Sequence, residues 1–121
     1  MDFRHLIGSA GESAAANYLR RKRYKIVEQN YSCRFGEIDI IAQKGEYIVF
    51  VEVKTRKNED FAMAREFVTY AKQQRIMKTA MLWLQQHDTD LQPRFDVIEI
   101  YAPEGTATQN PEIYHLEDAF Q

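Results

Sequence analysis

The chain has 121 residues, 45% apolar and 28% charged, with five Gly, three Pro and one Cys. That is enough for one domain, 1–121, with one core, and it excludes collagen-like, disordered and coiled-coil classes. Sixteen Lys+Arg against eighteen Asp+Glu leave a net charge of −2, which excludes nucleic-acid binding by bulk charge alone. The balance is uneven, however. All 16 basic residues lie in 1–95, whereas 96–121 holds six acids and no Lys or Arg.

In chain order, residues 3–23 predict a helix, with Ile7, Ala10, Ala14, Tyr18 and Leu19 at helical spacing. Gly8 and Gly11 weaken it and signal a close approach by another element. Lys25–Tyr31 is a short strand. Glu37–Ala42 and Tyr47–Lys54 are strands joined by a tight turn at Lys44-Gly45. Thr69 is a helix cap before Tyr70–Gln86, whose apolar stripe is Ile76, Met77, Ala80, Trp83 and Leu84. Arg94–Tyr101 is a further strand, and Ile113–Leu116 a short last one. The order α-β-β-β-α-β, with that short addition, predicts an α/β fold: a mixed sheet flanked by helices in three layers.

No apolar run approaches the roughly 20 residues of a membrane span. The longest, near Tyr47–Val53, is interrupted at Glu52. The opening MDFRHLIGSAGES has neither the basic start nor the apolar stretch of a secretory leader. A lone Cys33 makes no internal disulfide, so a cytoplasmic setting is expected.

Charges in the two most apolar strands carry the chemistry. By alternation, Val49, Val51 and Val53 point one way and Phe50, Glu52 and Lys54 the other; Glu37, Asp39 and Ile41 likewise share a face. Pairing about Lys44-Gly45 makes Asp39 and Glu52 neighbours. Adjacent carboxylates repel unless a cation or a proton lies between them. Mg²⁺ takes one or two carboxylates plus waters and phosphate oxygens, and the Val53 carbonyl is a further donor. Lys54 would hold a phosphate oxygen or orient a water. These residues alone fit two readings: a metal site for phosphodiester hydrolysis, or a same-face ion pair on a solvated strand.

Asp39 followed by Glu52-Val53-Lys54 resembles the D…(D/E)-x-K motif of the PD-(D/E)XK nuclease superfamily. More narrowly, the chain resembles the YraN family. The resemblance rests on Gly8, Gly11-Glu12, Asn30-Tyr31, GEIDI at 36–40, FVEVKTR at 50–56, Val68-Thr69, Lys72-Gln73 and Arg94-Phe95-Asp96-Val97. It implies a restriction-endonuclease-like fold, similar to archaeal Holliday-junction resolvases, and a metal-dependent DNA endonuclease. Asp39 and Glu52 would be ligands of Mg²⁺ or Mn²⁺, Glu12 an additional ligand, and Lys54 the group that positions water or stabilises the phosphorane. The partner implied is DNA before RNA, with branched or junction DNA cut by a homodimer as the narrower expectation. Ser32 and Ala62 depart from the family's usual Arg and Gly. A non-catalytic nucleic-acid-binding module of the same fold and an RNA-directed nuclease are the rival readings. Arg34, Arg56, Lys57, Lys72, Gln73 and Arg75 are candidate phosphate contacts.

Overall fold

The computed structural model describes residues 3–56 and 68–121; Lys57 and Ala62 lie outside them. Helix α1 spans Phe3–Arg21. Strands β1 (Lys25–Cys33), β2 (Gly36–Lys44) and β3 (Tyr47–Arg56) follow. Helix α2 (Tyr70–Gln86) leads to β4 (Gln92–Tyr101), a 3-10 turn at Gly105–Ala107 and β5 (Glu112–Phe120). The last strand is longer than Ile113–Leu116, because exposed polar residues and a left-handed Asp118 (φ 51°) hide its apolar pattern.

The sheet order is β1-β2-β3-β4-β5. The first three strands form an antiparallel meander, β4 returns parallel to β3, and β5 pairs antiparallel with β4. A parallel return needs a long crossover, and α2 lies within it. Each sheet face has its own core. Ala15, Ala16 and Leu19 of α1 pack on Ile40, Ala42, Val49, Val51, Ile98 and Ile100. Ile76, Ala80 and Trp83 of α2 pack on Ile38, Ile41, Ile48, Phe50 and Val97. The result is the mixed-sheet, three-layer α/β architecture the element order predicts.

The ends of both helices follow local chemistry. Thr69 caps α2, its Oγ1 accepting the Lys72 N–H at 3.2 Å. Helix α1 stops two residues short of expectation at a Schellman turn. There the Tyr24 N–H donates to Leu19 O and the Arg23 N–H to Arg20 O, each at 2.9 Å, with Arg23 at φ 70°.

Gly11 is where α1 meets the sheet. A Cβ there would stand 2.1 Å from Thr55 Oγ1 and 3.3 Å from Thr55 Cβ. Gly11→Ala gains about 1 kcal/mol of helix propensity but faces about 1–3 kcal/mol of overpacking. The clash wins. The variant should melt below wild type, and Thr55→Ala in the same chain should restore it; a Gly11→Ala variant as stable as wild type would show that α1 can retreat freely.

Candidate metal and nucleic-acid site

The site forms where β2 and β3 part. Their paired register runs from Lys44↔Tyr47 to Ile40↔Val51, and the next residues in line are Asp39 and Glu52. Beyond that point each strand keeps only its outer neighbour, β1 for β2 and β4 for β3. The Asp39 carboxylate spans the opening: its Oδ2 accepts the Val53 N–H at 2.8 Å. A side chain thus does the work of the absent ladder carbonyl.

The same fork corrects one expectation. Strict alternation groups Ile38 with Ile40, and Ile41 with Asp39. In the fold Ile38 and Ile41 face α2, whereas Ile40 and Ala42 face α1. The alternation slips at Asp39, where β2 has left β3. Opposite it on β1, between the pairs Gln29↔Ile40 and Tyr31↔Ile38, stands Asn30 at φ 56°. Strand β3 keeps its ladder on β4 and alternates as expected.

Both carboxylates are buried, Asp39 at 9% exposure and Glu52 at 7%. Burial, then the Glu52 charge, pushes the Asp39 carboxyl up to about 8, although the Val53 N–H works the other way. Glu12 reaches the fork from α1. Burial raises its pKa, as do the charges of Glu37 and Glu52, while hydrogen bonds with Asn30 and Asp39 oppose the rise. The three acids therefore sense one another. Even so, among the described residues no three His, Cys, Asp or Glu side chains are gathered closely enough to form a ready metal cage.

Two ammonium groups supply positive charge instead. Lys72 Nζ lies 2.5 Å from Glu52 Oε1, and Lys54 Nζ lies 3.6 Å from the same oxygen. Burial and the neighbouring Lys72 lower the Lys54 pKa. For Lys72 burial also acts downward, but the bond to Glu52 outweighs it and the pKa rises. Lys54 thus lies beside Glu52, as their spacing requires. Lys72, expected to contact phosphate, is first a partner of Glu52. That pairing joins residues of β3 and α2 that are twenty apart, and no local pattern signals it.

The other candidates divide. Arg75 is exposed and, with Glu37, Glu52 and Lys72, lines a pocket of about 170 Å³. Arg34 is exposed and stacks over the Phe35 ring at 4.8 Å. Gln73 Nε2 donates to Val68 O at 3.0 Å, which ties the start of α2. Arg56 lies beside Glu99, whose carboxyl is raised by burial and held back by the Arg56 charge. Tyr70 is 75% exposed at the start of α2. A cleft of about 600 Å³ lies at the far end of β3 between Tyr47, Arg94, Glu117 and Gln121 and is lined by none of these groups.

The profile of Uncharacterised protein family UPF0102 matches residues 11–100, three-quarters of the chain. The chain belongs to this family, known also as YraN. A UPF0102 protein of Geobacter metallireducens is 48% identical over 116 residues, covering 95% of this chain and 92% of its own. One from Caldanaerobacter subterraneus is 45% identical over 116 residues, covering 94% and 93%. One from Vibrio parahaemolyticus is 50% identical over 97 residues, covering 78% and 80%. The UPF0102 span takes in every site residue from Glu12 to Arg75 and stops at Ile100, before β5 begins. Among the described residues, no helix of this UPF0102 chain is long and apolar enough to cross a membrane.

Proposed function

We propose that the chain is a metal-dependent endonuclease that hydrolyses DNA phosphodiesters, with branched or junction DNA as its substrate class. The observation that carries this reading is the fork. Two buried carboxylates from diverging strands flank the Val53 peptide, with Lys54 next along the strand. Burial and a like charge push the Asp39 carboxyl up to about 8, and a divalent cation between the two carboxylates would relieve that repulsion.

The donors fit a hard divalent ion. Asp39, Glu52 and the Val53 carbonyl would hold Mg²⁺ or Mn²⁺, with Glu12 acting through water. Bound there, the ion would neutralise charge building on the attacked phosphate. Lys54, 3.6 Å from Glu52 Oε1, would orient water or hold a phosphate oxygen. Arg75 and Arg34, exposed on the α2 side and at the β1–β2 turn, would meet the backbone phosphates. Tyr70 offers an exposed ring for stacking. Two copies would suit a symmetric junction, each cutting one strand.

A second reading has its own support. Glu52 already holds an ammonium, so the charge of the site is balanced without a metal. That favours a non-catalytic nucleic-acid-binding module. The experiment is cleavage of labelled linear, flap and four-way-junction DNA, with matching RNAs, in Mg²⁺ or Mn²⁺ and in EDTA. We expect metal-dependent cleavage of junction DNA that falls by about 10³-fold or more in Asp39→Asn and Lys54→Ala. Salt-sensitive binding without cleavage would select the binding module, and cleavage confined to RNA would select the RNA-directed enzyme.

A further inference from the structure

The Glu52 carboxylate holds two cationic neighbours on one oxygen, and they are not equivalent. Lys72 Nζ is in direct contact at 2.5 Å, whereas Lys54 Nζ stands off at 3.6 Å. Lys54 is bound to its place by the strand, two residues beyond Glu52 on the same face. Lys72 sits in the first turn of α2, and the two side chains are about equally exposed, 30% for Lys72 and 28% for Lys54. It borders the pocket of about 170 Å³ that Arg75 also lines. A divalent cation on Glu52 would lie about 2 Å from a carboxylate oxygen, within repulsive reach of an ammonium on that group. Moving one of the two away relieves that repulsion, and Lys72, unlike Lys54, has both the direct contact to give up and the pocket beside it to enter.

We propose that Lys72 is a displaceable counterion. Its ammonium neutralises Glu52 in the metal-free protein, yields the carboxylate to a divalent cation, and moves into the pocket beside Arg75, where it binds an anionic phosphate oxygen. This rests on the reading that Asp39 and Glu52 hold a divalent ion, and it adds what fills the site before the ion arrives. Metal and phosphate then favour each other, because the ion that releases Lys72 creates the second cationic contact in the pocket. Lys72 is thus a counterion of Glu52 first and a substrate-phosphate contact second. It sets when the metal and the anion bind, and Lys54 remains beside the reacting phosphate.

The test is calorimetric titration with Mn²⁺ of wild type, Lys72→Met and Lys72→Arg. Removing the competing charge should tighten Mn²⁺ binding by about tenfold in Lys72→Met, while Lys72→Arg stays near wild type. Unchanged or weaker binding in a folded Lys72→Met overturns the proposal and leaves the metal reading intact. No Mn²⁺ binding by any of the three proteins overturns both. Lys72→Met leaves Glu52 with the more distant ammonium alone and risks unfolding, so a second measurement uses wild type. Mg²⁺ added to ¹⁵N-lysine-labelled protein should move the Lys72 ammonium resonance towards that of a solvent-exposed lysine. A resonance unmoved by saturating Mg²⁺ overturns the displacement.

Discussion

The protein without added metal should lose stability as the pH is raised from about 4 to about 8, and Asp39→Asn should remove most of that loss. An unfolded Asp39 ionises near its ordinary value of 3.8, but the folded one does so at about 8, because burial and Glu52 both oppose its charge. The native state therefore holds the proton more tightly than the unfolded state. Stability from this group is complete below the unfolded value and is lost progressively as the pH climbs to about 8. A shift of this size corresponds to about 6 kcal/mol at most. Asn cannot ionise, and its side-chain oxygen can still accept the Val53 N–H. Saturating Mg²⁺ should flatten the wild-type curve in the same way, since a cation between the carboxylates favours their ionised forms. Thermal melts across the pH range, with and without Mg²⁺, measure this. A wild-type curve that rises with pH would mean that Asp39 ionises freely in the fold.

Asp96→Ala should be the most damaging substitution away from the fork, costing about 3–5 kcal/mol. Asp96 is fully buried on the α1 side of β4, with all its capacity engaged. Arg94 grips it with Nε at 2.9 Å and Nη2 at 2.8 Å; His115 Nε2 lies at 2.7 Å, and the Asp118 N–H donates at 3.0 Å. The cluster extends through Arg94 Nη2 to Tyr24 Oη at 2.8 Å and through His115 Nδ1 to Tyr18 Oη at 3.1 Å. It ties β4 and β5 to the end of α1. Removing the carboxylate leaves the partly buried Arg94 guanidinium with Tyr24 as its remaining hydrogen-bond acceptor, which costs more than the lost bonds. Burial acts to raise the Asp96 pKa, but His115 and Arg94 overcome it, and the value falls below 3.8. Its stabilisation is therefore present above the unfolded value and lost as the pH drops through the folded one. Chemical denaturation of Asp96→Ala and Asp96→Asn at neutral pH would measure the cost, and a loss under 1 kcal/mol would show that the network is dispensable.

Much of this fold is legible because its elements announce themselves locally. Thr69 is followed by an apolar stripe at helical spacing, and α2 runs over Tyr70–Gln86 as read. Gly45 at φ 56° makes the turn that Lys44-Gly45 suggests, and Gly11 marks the close approach of Thr55. The candidate site is half legible. Charged residues inside apolar strands single out Asp39, Glu52 and Lys54 from sequence, and the hairpin makes the first two neighbours. The slip at Asp39 is not legible, since strict alternation assumes that β2 stays paired to β3. Nor is the Lys72–Glu52 contact, which exists only once α2 is laid across the sheet. Asp96 carries the same signal as Asp39, a carboxylate within RFDVIEIY. Its partner His115, and Tyr18 bonded to that histidine, come from opposite ends of the chain, so its role emerges only from the packed structure.

The central claim is that Asp39 and Glu52 together hold one divalent cation. Mn²⁺ titration followed by electron paramagnetic resonance, on wild type, Asp39→Asn and Glu52→Gln at one pH, tests it most directly. The account predicts one bound equivalent in wild type that is lost in both variants while each remains folded. Binding that survives either substitution, or none in wild type at millimolar Mn²⁺, would contradict it.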